Sequence, residues 1–174
     1  MISLIANGLK GKLSEDLAAL TSLEFLALQD NALRGTLPAA LAALTSLTIL
    51  YLNRNDFTGT IPELAALTSL TDLQLFGNSF SGTIPALAAL SSLVNLKLHN
   101  NELTGTVPEL AGLVSLTQLS LRDNLLTGTL PQLAALTLVT YLVLSDNKFS
   151  GAIPDLSRNT ALSDVWLDGN RLLG

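Results

Sequence analysis

LTILYLNRNDFTGTIPELAALTS, residues 47–69, holds three kinds of local signal in one short stretch. In Leu47-x-x-Leu50-x-Leu52 the last two leucines stand two apart, so both face one side of a short strand. Ile49, Tyr51 and Asn53 are then directed to the other side. Asn55 follows, a residue whose amide can satisfy turn backbone as both donor and acceptor. In Phe57-Thr58-Gly59-Thr60-Ile61 the apolar residues alternate with threonines, which reads as a second extended piece. Here Phe57, Gly59 and Ile61 turn inward and Thr58 and Thr60 outward, with glycine leaving room for a close backbone approach. Pro62 opens a helical or 3₁₀ turn, where its missing N–H is harmless. Leu64 and Leu67 bring that turn back to the core before Leu70 begins the same pattern again.

Working outward, the pattern fills the chain. The asparagine recurs at 7, 31, 55, 78, 101, 124, 147 and 170, at steps of 24 and then 23 residues. Four residues after each stands a glycine, from Gly11 and Gly35 through to Gly174. Seven after six of them stands a proline (Pro38, Pro62, Pro85, Pro108, Pro131 and Pro154), which accounts for every proline in the chain. Two after each asparagine comes Leu or Phe. A period this strict means stacked coils, because one unit cannot bury its apolar face alone and its neighbours must cover it. Each fully buried leucine contributes roughly 1.5–3 kcal/mol, and eight coils spaced about 4.8 Å apart make a rod on the order of 38 Å long.

The combination L-x-x-L-x-L-x-x-N-x-L followed by G-x-[IL]-P resembles the leucine-rich repeat family. It is of the plant-specific type found in receptor-like proteins, receptor-kinase ectodomains and polygalacturonase-inhibitor-like proteins. The likeness covers residues 1–174 as a single domain of about eight repeats, the first and last incomplete. It implies an α/β repeat solenoid: a right-handed superhelix with a parallel sheet on the concave side and short extended or 3₁₀ segments on a flank and the convex side. It further implies an extracellular or cell-surface recognition module. The Ala-rich LAAL wording differs from the usual plant form, and there is no N-x-[ST] sequon, so lineage and compartment stay open. Capping units are not visible at either end, and paired-cysteine caps cannot exist in a chain with no Cys. This predicts a segment of a longer array, with end-to-end self-association through the uncapped ends as the alternative.

Composition narrows the function. Mean hydropathy is +0.47, and residues 35–53 and 124–145 carry no charge. Each holds an interior proline and stays in register with charged neighbours, so both read as repeat and not as membrane span. A net charge of -5 without Lys/Arg clusters excludes a nucleic-acid partner. The absence of Cys removes thiolate metal sites, and no leader pattern precedes the first repeat.

Nothing in the sequence forms a catalytic set. His99 is the lone histidine, on an outward strand position, and the carboxylates are spread singly. Asp30, Asp123 and Asp146 precede their repeat asparagines as turn formers and lack calcium-loop spacing. The glycines follow the repeat and make no phosphate loop. The expectation is a non-enzymatic scaffold with no cofactor and no metal.

Binding is expected on the outward strand positions, where packing leaves residue choice free. Five of the eight aromatics fall there: Phe25, Tyr51, Phe76, Tyr141 and Trp166. Aromatics that the core does not need read as interface anchors. The candidate face for a protein or peptide partner therefore comprises those five with Asn53, Asp72, Gln74, Asn95, Lys97, His99, Gln118, Arg122 and Asp168. A different surface suggests a different function. Thr58/Thr60, Ser81/Thr83, Thr104/Thr106 and Thr127/Thr129 form a grid with spacings of roughly 6.7 and 4.8 Å, similar to the ice-binding faces of some solenoid antifreeze proteins. A structural spacer without a partner is the third alternative.

Overall fold

The computed structural model describes residues 1–173. Eight short strands, one per coil, form a single parallel sheet in strict coil order: Ile2–Ser3, Phe25–Ala27, Ile49–Tyr51, Asp72–Gln74, Asn95–Lys97, Gln118–Ser120, Tyr141–Val143 and Asp164–Trp166. The register is exact to the repeat: Ile49 pairs with Asp72, Leu50 with Leu73 and Tyr51 with Gln74, and the next coils continue the columns. The chain is thus a right-handed parallel solenoid. The second extended pieces pair along a flank as a five-stranded and a three-stranded sheet. Between those sheets the amides of Leu125 and Thr127 still donate to the carbonyls of Leu103 and Gly105, at 2.8 Å each.

On the side opposite the main sheet, leucines three apart set successive i→i+3 turns. Leu67 N–H donates to Leu64 O and Leu70 N–H to Leu67 O, both at 2.9 Å, and the other coils repeat this. Spacing by three eclipses side chains on one edge, which is why these leucines can all enter the core. Among the described residues sustained 3₁₀ helix occurs at Glu15–Ala19 and Ala39–Ala43; elsewhere the convex side consists of linked turns, in line with the expected turns or 3₁₀ segments. No α-helix occurs among the described residues. The core is a continuous column in which Leu50, Leu67, Leu70, Phe57 and Phe80 are fully buried. The rings of Phe57 and Phe80 stack at 6.0 Å and 9°.

The repeat asparagines stitch the coils together. Asn124 accepts at Oδ1 from the amide of Leu103 in the preceding coil (3.0 Å). Its Nδ2 donates to Leu98 O (3.1 Å), Leu121 O (3.0 Å) and Arg122 O (3.2 Å). Asn55 and Asn147 repeat the arrangement while buried. The turn that delivers them bends through the left-handed region at the residue just before, in every coil: Ala6, Asp30, Arg54, Gly77, Asn100, Asp123, Asp146 and Gly169. Asp, Asn and Gly tolerate that conformation, which explains the Asp-Asn pairs more specifically than turn formation in general. Asn159 replaces a core leucine at the convex turn. It stays buried by donating from Nδ2 to Leu133 O (2.8 Å) and Leu136 O (2.9 Å).

Candidate recognition face

The in-register sheet turns the outward positions into real columns. One runs Phe25, Ile49, Asp72, Asn95, Gln118, Tyr141, Asp164; the next runs Ala27, Tyr51, Gln74, Lys97, Ser120, Val143, Trp166. Side-chain size then divides the face into two unlike halves.

In the first half the candidate residues are occupied with one another. Phe25 meets Tyr51 edge-on, at 6.2 Å and 71°. Asp72 accepts from Gln74 Nε2 (3.0 Å) at Oδ1 and from Asn95 Nδ2 (2.8 Å) at Oδ2. Burial, then the charge of Asp72 and its hydrogen bond, push the Tyr51 phenol up to about 12. Phe76 lies between two cationic or aromatic neighbours: Arg54 stands 5.6 Å over its ring, and the His99 imidazole stacks on it at 4.3 Å and 11°. His99 Nδ1 is buried and has no hydrogen-bond partner. Desolvation, reinforced chiefly by the Lys97 charge, holds His99 below its ordinary 6.5 despite the opposing pull of Asp123. The ion pair of Arg54 with Asp30, at 3.5 Å, is largely solvent-exposed and adds little.

Asn53 corrects the sequence expectation. It continues the outward alternation just past the strand but is only 5% exposed. Its contribution is to the wall of the sheet and not to a contact surface. Ala27, Ser120, Val143 and Ser145 of the outward columns are also buried.

The second half is open. Between Lys97 and Trp166 the second column drops to Ser120 and Val143, and the drop leaves a depression of about 480 Å³. Lys97, His99, Arg122, Tyr141 and Trp166 line it together with Asn100 and Asp123. Trp166 is 51% exposed and Tyr141 39%, so their rings are available to a partner. Arg122 is tethered through Nε to Asp146 (3.1 Å) and Asp123 (3.6 Å), whereas Lys97 has no ion-pair partner among the described residues. The depression brings together five of the fourteen candidates. Asn100, Ser120, Asp123 and Val143 were not among them, although small residues at 120 and 143 between long ones were visible in the columns.

Three stretches of the chain, residues 46–66, 115–135 and 138–159, match the family model for the Leucine Rich Repeat. This is a leucine-rich repeat solenoid. No curated protein sequence matches it. Among solved structures, it superposes on the plant peptide hormone receptor RGFR1 in complex with RGF2 with a TM-score of 0.92 at 36% identity, covering 95% of this chain and 27% of that one. The Arabidopsis receptor kinase HAESA ectodomain, solved with an N-terminally extended IDA peptide hormone, gives 0.90 at 35% identity, covering 95% and 28%. A plant ice-binding protein gives 0.63 at 26% identity, covering 95% and 62%. The solenoid thus resembles plant receptor ectodomains and spans under a third of the length of the two receptors. Among its described residues no cluster of His, Cys, Asp or Glu could hold a metal ion. No described helix is long and apolar enough to cross a membrane.

Proposed function

We propose that this leucine-rich repeat solenoid is a non-catalytic scaffold that binds an extended peptide across its main sheet. The observation that carries the reading is the depression, where two exposed aromatic rings and an unpaired lysine surround a floor of small residues. Exposed Trp and Tyr beside a polar rim are the usual anchors of a binding site. The likeness to receptor ectodomains solved with peptide hormones supports the same class of partner. The test is direct binding of synthetic peptides, chosen by selection from a random library, to the wild type and to a Lys97→Ala/Tyr141→Ala/Trp166→Ala variant. Loss of binding with retained circular dichroism supports the reading; unchanged binding refutes it.

A second reading, ice binding by the flank, is favoured by two observations. Thr58, Thr60, Thr83, Thr104, Thr106, Thr127 and Thr129 are all exposed on the flank, where the strands pair two residues out of step with the repeat (Thr58 with Ser79, Thr127 with Lys148), and the second threonine of each pair is held by a glycine of the following coil. The resemblance to a plant ice-binding protein supports it. Thermal hysteresis at micromolar protein, abolished by Thr83→Tyr and Thr106→Tyr, is the expected result; no hysteresis or recrystallisation inhibition disposes of it.

A further inference from the structure

The depression is electrically lopsided. At its Lys97 end stands a cation with no ion-pair partner among the described residues, while Arg122 next to it is already tied to Asp146 and Asp123. At the other end Trp166 presents an exposed indole with Asp164 and Asp168 two residues to either side, Asp164 on the same strand and Asp168 just past its end, both exposed. An anion suits the first end. A cation suits the second, where the ring face and two exposed carboxylates act together. Lys97 and Trp166 share one column and lie three coils apart, which is about 14 Å at the usual spacing between parallel strands. An extended chain covers that in about four residues at roughly 3.3 Å each.

We infer that the depression is a bipolar slot for a peptide segment carrying an acidic side chain and a basic side chain about four residues apart, the acid on Lys97 and the base on Trp166 between Asp164 and Asp168. The inference rests on the peptide-binding reading and adds the chemistry and the register of the ligand. A uniformly acidic segment meets Asp164 and Asp168 at the far end, and a uniformly basic one meets Lys97. The small floor residues Ser120 and Val143 leave space for the intervening backbone and small side chains only.

Selection from a randomised display library of dodecapeptides tests it on the wild type, Lys97→Glu, Lys97→Gln and Trp166→Ala, each checked for its fold by circular dichroism. Wild type should enrich Asp or Glu about four residues from Arg or Lys. Lys97→Glu should bind the selected peptides about tenfold more weakly and instead enrich a base at the former acidic position, with Lys97→Gln intermediate. Trp166→Ala should lose the preference for the base and keep that for the acid. Peptides that enrich without a charge pair, or that bind all four proteins alike, overturn the slot and leave peptide binding standing. No enrichment on any of the four overturns both.

Discussion

Thr83 packs its methyl against the open face of Gly105 in the following coil, so tightly that a Cβ on Gly105 would lie 2.8 Å from Thr83 Cγ2. Gly105 also has φ +75°. The same contact joins Thr36 to Gly59, Thr60 to Gly82, Thr106 to Gly128 and Thr129 to Gly151. The T-G-T wording is therefore a lock between coils: each glycine is required both for its left-handed backbone and for the methyl that covers it.

Gly105→Ala should destabilise the solenoid by about 3 kcal/mol, combining left-handed strain of about 1–2 kcal/mol with an overpacked contact. Adding Thr83→Ser removes the opposing methyl and should recover roughly half of that loss. A double-mutant cycle by urea unfolding measures it; strict additivity of the two substitutions would show that the contact carries no energy.

Asn124→Leu strips the buried amide of Leu103 of its partner, while the carbonyls of Leu98, Leu121 and Arg122 keep the donors Asn101 Nδ2, Asn147 Nδ2 and Asn100 N–H. An unsatisfied buried amide costs about 1–3 kcal/mol, so a net loss of about 2 kcal/mol is expected. Because coils interact only with neighbours, unfolding should split into two transitions. Calorimetry reads this directly, and a single unshifted transition would contradict it.

His99 gives stability a pH dependence. Its proton affinity is lowered in the folded chain, so the unfolded chain takes up the proton first as pH falls below 6.5. The contribution of neutral His99 is complete above that value and is lost as pH falls toward the lower folded pKa. His99→Phe, which keeps a planar ring over Phe76, should flatten the slope of thermal midpoint against pH in that window. An unchanged slope would assign it to other groups.

Tyr51 gives the opposite case at high pH. Its phenol is pushed up to about 12 from 10.0, so the stability it contributes is full below pH 10 and falls away as pH rises toward 12. Asp72→Asn removes the neighbouring charge and should bring the Tyr51 transition down. Ultraviolet titration of phenolate in a Tyr141→Phe background follows Tyr51 alone and should show that descent.

The left-handed turn before each asparagine shows how far the sequence can be read and where it stops. Asp30, Asn100, Asp123 and Asp146, with Gly77 and Gly169, carry residue types suited to the bend, and their pattern was in plain view. Arg54 and Ala6 adopt the same conformation without that preference. Only the pull of neighbouring coils, which pair Arg54 N–H with Phe76 O at 2.9 Å, holds Arg54 there. Arg54→Asn should accordingly raise the free energy of unfolding slightly, by about 0.5–1 kcal/mol in urea titration.

The sequence by itself determined the period, the solenoid, the inward leucines and the outward columns, because each follows from local geometry repeated eight times. It also marked the threonine rows and most of the aromatic positions on the face. Tertiary structure alone decided which outward residues are reachable. Asn53 is buried, Tyr51 packs edge-on with Phe25, Asp72 is taken up by Gln74 and Asn95, and Lys97, Tyr141 and Trp166 stand around a hollow. The reason is physical: a column position specifies a direction, but exposure depends on the heights of side chains in adjacent coils, 23 residues away in the chain. Those heights meet only once the coils are stacked.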